Sequence, residues 1–96
     1  MNDLIFEWDS NKAEINLRKH NIPFELAMKV FEDPLHITEQ DRFENGEYRW
    51  QTIGIANGEQ LLLVAHVFYN QDDAEIIRII SARRANKTER KKYDNR

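Results

Sequence analysis

Residues 45–70 read NGEYRWQTIGIANGEQLLLVAHVFYN, and the reading of this stretch decides the fold. Asn45-Gly46 and Asn57-Gly58 are the strongest two-residue hairpin signals a sequence offers, because such turns need positive φ at their central positions. They divide the middle of the chain into strand runs near 35–42, 48–55 and 61–69, and Asn70–Asp73 forms a looser turn into a fourth run, 75–83. Leu61–Phe68 is apolar almost throughout, which predicts a central strand buried on both faces.

Working outward, Leu4-Ile5-Phe6-Glu7-Trp8 is short, aromatic and β-branched, a strand pattern. Asp9 offers an N-cap carboxylate for a helix over 10–20, with Trp8 and Ala13 at the positions of a hydrophobic staple and Asn21 as a left-handed stop. Pro23 suits a second helix entry, and Phe24, Ala27, Met28 and Phe31 recur at i, i+3, i+4 and i+7 up to Asp33-Pro34. At the other end Asn86 or Thr88 can cap a polar helix over 87–96. The order β-α-α-β-β-β-β-α predicts one domain, residues 1–96, in the α+β class, with two helices packed on a mainly antiparallel sheet and a basic helix at the C-terminus.

Composition narrows the function. The net charge of −3 hides a polarised chain: residues 1–77 carry 15 acids against 6 Lys/Arg, and residues 78–96 carry 8 Lys/Arg against 2 acids. A basic segment of this kind suits an acidic partner, with nucleic acid among the candidates. The absence of cysteine excludes a disulfide scaffold, thiolate zinc sites and cysteine nucleophiles. No apolar run is long enough for a membrane span and no signal-peptide pattern opens the chain, so a cytoplasmic location is expected.

Strand alternation sets the candidate chemistry. In the 75–83 run, Ile76, Arg78, Ile80 and Ala82 fall on one face, and Ile77, Ile79, Ser81 and Arg83 on the other. His66 shares a face with Leu62, Val64 and Phe68, and Arg49 with Gln51, Ile53 and Ile55. If the register aligns them, His66, Arg49 and an arginine of the last strand stand side by side. Such a cluster suits RNA cleavage by 2′-hydroxyl attack, in which imidazole moves protons near neutral pH and guanidinium holds the charged phosphorane. No metal or cofactor is expected. The densest signal is Ser81-Ala82-Arg83-Arg84-Ala85-Asn86-Lys87, followed by Glu89-Arg90-Lys91-Lys92-Tyr93. Phosphate binding by Arg78, Arg84, Lys87 and Arg90 is the functional reading. A solvated tail and docking to an acidic protein stay open beside it.

Several pieces in order resemble the BrnT family of type II toxin–antitoxin systems: Phe6-Glu7-Trp8-Asp9, Asn16-Leu17-Arg18-Lys19-His20, Phe24-Glu25 with Ala27, and Val30-Phe31-Glu32-Asp33-Pro34. Gly46-Glu47 with Arg49, Ile53-Gly54, and Ile79-Ile80-Ser81-Ala82-Arg83-Arg84-Ala85 with Glu89-Arg90 and Tyr93 continue the match. The resemblance implies a RelE-like fold and a ribonuclease toxin that blocks translation. It also implies neutralisation by a BrnA-like ribbon-helix-helix antitoxin, with operator DNA bound only through that partner. On this resemblance Arg49, His66 and Arg83, with His20 or Tyr93, form the RNA-processing site. Ser10 and Pro23 depart from the family pattern at two helix starts. The alternative is a non-catalytic RNA- or protein-binding module whose basic C-terminal segment docks an acidic partner.

Overall fold

The computed structural model describes residues 4–95. A five-stranded sheet runs through it: β1 (Leu4–Glu7), β2 (Ile37–Glu44), β3 (Glu47–Ala56), β4 (Gln60–Gln71) and β5 (Ala74–Arg84), in the spatial order β1-β5-β4-β3-β2. The pairs β2–β3, β3–β4 and β4–β5 are antiparallel, and only β1 runs parallel to its neighbour β5. Helices α1 (Ser10–His20) and α2 (Phe24–Ala27), with the 3-10 segment Met28–Glu32, lie on one face; α3 (Lys87–Asp94) lies on the other. The α+β reading and the element order therefore hold. The expected single helix up to Asp33 is instead a short α-helix that tightens into the 3-10 segment. Arg96, the last residue of the expected C-terminal helix, falls outside the described residues.

Local signals act as their chemistry requires. Asp9 caps α1 by accepting from the Asn11 N–H, and Asn21 ends it at φ 59°. Asn45, Gly46, Asn57 and Gly58 all adopt positive φ at the hairpins, the second of which takes up Glu59 as a third loop residue. The Asn70–Asp73 turn is tighter than expected: Gln71 pairs with Ala74, leaving Asp72 and Asp73 as a two-residue loop, both at positive φ. Asn86 and Glu89 close a capping box at the start of α3.

The main core lies under the helices. Phe24, Ala27 and Val30 pack with Ile22 against Leu62, Val64, Ile77, Ile79 and Ala82. Gly54 of β3 permits the close approach of the 3-10 segment, since a Cβ there would stand 2.8 Å from Val30 Cγ1 and 3.0 Å from the Val30 carbonyl oxygen. A smaller core beneath α3 joins Tyr93 to Ile53, Leu61 and Leu63.

Strand β5 carries one extra residue. Ala65 pairs with Ser81 but the next residue of β4, His66, pairs with Ile79, so Ile80 is a bulge. Beyond the short β1, the exposed edge of β5 is completed by a side chain. The Asn16 amide donates to the Ala82 carbonyl (2.9 Å) and accepts from the Ala82 N–H (3.0 Å), and also donates to the Ile22 carbonyl (3.0 Å). Asp33 does the same for β3 past the start of β2, accepting from the Ile55 N–H at 2.8 Å while Tyr93 donates its hydroxyl to the same oxygen at 2.6 Å. Burial alone would raise the Asp33 carboxyl; the donors from Ile55, Tyr93 and Leu35, with His36 nearby, hold it below its usual range.

Asn16→Ala strands three buried backbone groups and is expected to lower stability by about 2–4 kcal/mol in chemical denaturation. Gly54→Ala is expected to cost about 1–3 kcal/mol through overpacking against Val30.

Candidate active site on the open sheet face

Away from α1 and α2, the sheet presents a face only partly covered by α3. The bulge at Ile80 decides which side chains reach it. Strict alternation would separate Arg78 from Arg83, but Ile77, Ile79 and Ala82 all join the helix-side core. Both arginines consequently face the open side, a correction to the expected parity. Arg42 pairs with Arg49 across β2–β3. One residue past the Trp50–His66 pair, Arg49 comes level with Val67, whose partner on β5 is Arg78. A row of three arginines thus crosses the sheet around Val67, with Arg83 beside Leu63 nearer α3. Val67 is only 2 % exposed although it points away from the helices, as expected where arginine stems lie over a strand.

Carboxylates hold most of these guanidinium groups. Arg42 pairs with Glu44 at 2.7 Å and Arg78 with Glu47 at 2.6 Å. Arg83 and Glu89 form a two-pronged pair, both contacts 2.8 Å. The Glu89 hydrogen bonds keep Arg83 more firmly protonated, and Arg83 in turn holds the Glu89 carboxyl below its usual range. Lys92 of α3 reaches Glu39 of β2 at 3.1 Å. Arg49 differs: its Nε is buried and has no hydrogen-bond partner. In the middle of the arginine row one guanidinium N–H is thus left with an unmet hydrogen bond.

His66 does not join them. Its partner Trp50 lies on the helix side, so the register puts His66 on the face opposite Arg49, Arg78 and Arg83 and overturns the expected convergence. The imidazole is fully buried, with Phe31 and Phe68 edge-on at 5.1 and 4.7 Å between centroids. Its Nε2 shares a hydrogen bond with Thr52 Oγ1 (2.7 Å), which continues to Thr38 Oγ1 (2.8 Å). Burial, with a smaller contribution from His36, pushes the His66 pKa down to about 4.

His20 lies elsewhere again, lining a groove along the β5 edge with Lys12, Lys19, Ile80 and Ser81. Tyr93 is on the arginine side but buried beneath α3, its hydroxyl donating to Asp33. Arg84, Lys87 and Arg90 are exposed at the junction of β5 and α3. The structure therefore brings Arg49, Arg78, Arg83 and Tyr93 to one side and leaves His66, His20 and Arg84, which pairs with Leu62 of the helix-side core, off it. Sequence reasoning missed Arg42 and the counter-ions Glu44, Glu47 and Glu89. The Asn86-x-x-Glu89 spacing of a capping box was the available sign for the last of these.

A model of the ribonuclease toxin BrnT of type II toxin–antitoxin systems matches residues 8–89. The chain belongs to this family. The matched span holds Arg49, Arg78 and Arg83 and ends before Arg90 and Tyr93. Among solved structures, the ribonuclease toxin BrnT of Brucella abortus superposes with a TM-score of 0.53 over 88 % of this chain and 99 % of that one, at 22 % identity. At that identity the likeness is one of fold. No curated protein matches. Family membership makes the chain a ribonuclease toxin, and so implies RNA as its substrate and an antitoxin as its partner. Among the described residues, no helix of the toxin is long and apolar enough to cross a membrane.

His66 gives a stability prediction. The unfolded chain binds a proton at His66 near pH 6.5 and the folded one only near 4. Its contribution is therefore fully present above pH 6.5 and is lost as the pH falls toward 4, a change of about 3 kcal/mol. Denaturation curves across that range are expected to show this loss in the parent toxin and not in His66→Gln.

Proposed function

We propose that the toxin cleaves RNA without a metal ion, on the open face that carries Arg42, Arg49, Arg78 and Arg83. The observation that carries this reading is the partnerless buried Nε of Arg49 in the centre of the arginine row. In the reaction a 2′-oxygen bonds to the adjacent phosphorus, the bond from phosphorus to the 5′-oxygen breaks, and the 2′-proton leaves as another reaches the 5′-oxygen. Charge builds on the non-bridging oxygens between these events. Fixed guanidinium groups stabilise it without the reorganisation that water would need. In this reading Arg49 and Arg83 hold the reacting phosphate. Arg78, Lys87 and Arg90 hold its neighbours along the strand, the last two from an exposed position that suits a flexible backbone. Arg84 leaves β5 on the helix side and takes no part on this face.

His20 and Tyr93, expected to move protons, do not stand beside Arg49: His20 lines the groove at the β5 edge and Tyr93 gives its hydroxyl to Asp33. In this reading water accepts the 2′-proton and supplies the one that reaches the 5′-oxygen. His66, neutral and sealed on the far side, acts in this reading as a core residue. The family reading further supports a cytoplasmic toxin neutralised by a BrnA-like ribbon-helix-helix antitoxin, the pair repressing its own promoter through the antitoxin's DNA-binding domain.

A second reading has its own support: none of the three histidines points from the sheet into the arginine row. A non-catalytic module would use the same cations to hold RNA intact, with affinity falling steeply as salt rises.

Purified toxin is expected to cleave single-stranded RNA in EDTA. Arg49→Ala and Arg83→Ala are each expected to slow cleavage by about 10²-fold or more, as loss of an oxyanion-type donor does. RNA bound but uncut would establish the second reading. Full activity of Arg49→Ala would remove this face from the reaction. His20→Ala and Tyr93→Phe are expected to leave the pH–rate profile unchanged, and a flattened limb in either would return that side chain to the reaction.

A further inference from the structure

The helix-side face has an uncovered margin of aromatic rings at the end of the sheet where the β2–β3 and β4–β5 turns lie. Phe43 and Tyr48, 61 and 56 % exposed, pair across the strands with ring centroids 4.9 Å apart. Trp50, next on the same face of β3, meets Phe68 at 5.7 Å, and Phe68 leads through His66 and Phe31 to Phe6. The inner rings serve the core. Phe43 and Tyr48 at the outer end do not: neither belongs to either core cluster.

Charge around this margin has one sign. Asp72 and Asp73 form the neighbouring turn and Glu75 follows on β5, all exposed. By the alternation of β5, Glu75 lies on the same face as Ile77 of the core. On β2 the charged side chains of Glu39, Arg42 and Glu44 face the other side, where Glu39 meets Lys92 and Arg42 pairs with Glu44, so the acids beside the rings are Asp72, Asp73 and Glu75. No arginine of the open-face row thus turns toward the rings. RNA phosphates are repelled by such a rim, and a second copy of the chain would bring acid against acid. Rings edged by carboxylates instead suit lysine and arginine side chains, which gain cation–π and ionic attraction together.

We propose that this aromatic, acid-rimmed margin docks a cationic segment of the antitoxin protein, leaving the arginine face as a separate surface. The inference rests on the family reading that a protein antitoxin exists. It divides the molecule by face, with the ring margin on the helix side for the partner and the arginine-bearing open side for RNA.

The test uses the intact toxin and, as probe, the purified protein encoded beside the toxin gene, in titration calorimetry. Phe43→Ala and Tyr48→Ala are each expected to weaken binding by about 30-fold or more, as loss of a central aromatic contact does. Glu75→Lys, at an exposed strand position, is expected to weaken it by about 10-fold through like-charge repulsion. All three variants are expected to keep the parent's melting temperature and its RNA cleavage. Unchanged affinity in both aromatic variants, or tighter binding by Glu75→Lys, would overturn the docking surface. Loss of RNA binding or cleavage in the aromatic variants would overturn it too, by making the rings a stacking platform for bases. Failure of the parent toxin itself to bind the probe would strike at the partner reading instead, and remove the inference with it.

Discussion

Between Ile79 and Ser81 the last strand holds one residue more than the strand beside it, and the two faces of the sheet exchange parity there. Without that residue, Ile77, Ile79 and Ala82 would not all enter the core under α1 and α2. Nor would Arg78 and Arg83 emerge together on the other side. A bulge disrupts the ladder and needs an external hold. Asn16 supplies it from α1, pairing both backbone groups of Ala82 just past the irregularity. A primary amide, with one donor and one acceptor side by side, imitates a strand's backbone in a way that few other side chains can. The helix seat, the strand edge and the arginine face are therefore one arrangement.

Much of this was legible in the sequence, and the limits have physical causes. Hairpins announced by Asn-Gly, the Asp9 and Asn86 caps, the Asn21 stop and the buried central strand are local matters, decided by residues that are neighbours in the chain. Parity along β5 is not local. Ile79, Ile80 and Ser81 fit a regular strand as well as a bulged one, and only the match to β4 and the reach of Asn16 select between them. His66 was misplaced for a related reason. Alternation puts it with Leu62 and Val64, but which residues of β3 share that face depends on the register, and Trp50 rather than Arg49 is its partner. Once sealed behind Phe31 and Phe68 it is held neutral by burial, the opposite of the role its residue type advertises.

The sign change in charge along the chain also acquires a spatial meaning. Arg83, Arg84, Lys87 and Arg90 occupy the junction of β5 and α3, while acids gather at the turns of the other end. The boundary is not clean, since Arg42, Arg49 and Arg78 lie close to the acidic end on the open face. Face matters there as much as position along the sheet: the arginines share one side and the exposed rings the other.

Glu44, Glu47 and Glu89 give the open face its character. Each occupies a guanidinium that phosphate would also want, which at first argues against a binding role. The half-exposed pairs Arg42–Glu44 and Arg78–Glu47 contribute little to stability, from nothing to about 1 kcal/mol, while Glu89 is more deeply set and holds Arg83 more firmly. A phosphate arriving with more charge and the same two-pronged geometry can replace a carboxylate at small cost, provided the arginine stays aimed. Pairing keeps it aimed: a guanidinium held flat by a carboxylate loses less freedom on meeting its next partner than one sweeping through water. It also spares the folded chain the mutual repulsion of Arg42, Arg49 and Arg78 in one row. Arg49 is the exception that gives the row a centre. With no carboxylate to satisfy it and its Nε already withdrawn from water, an anion placed there fills an unmet bond instead of displacing one. The paired arginines then act as a frame around the single unpaired one.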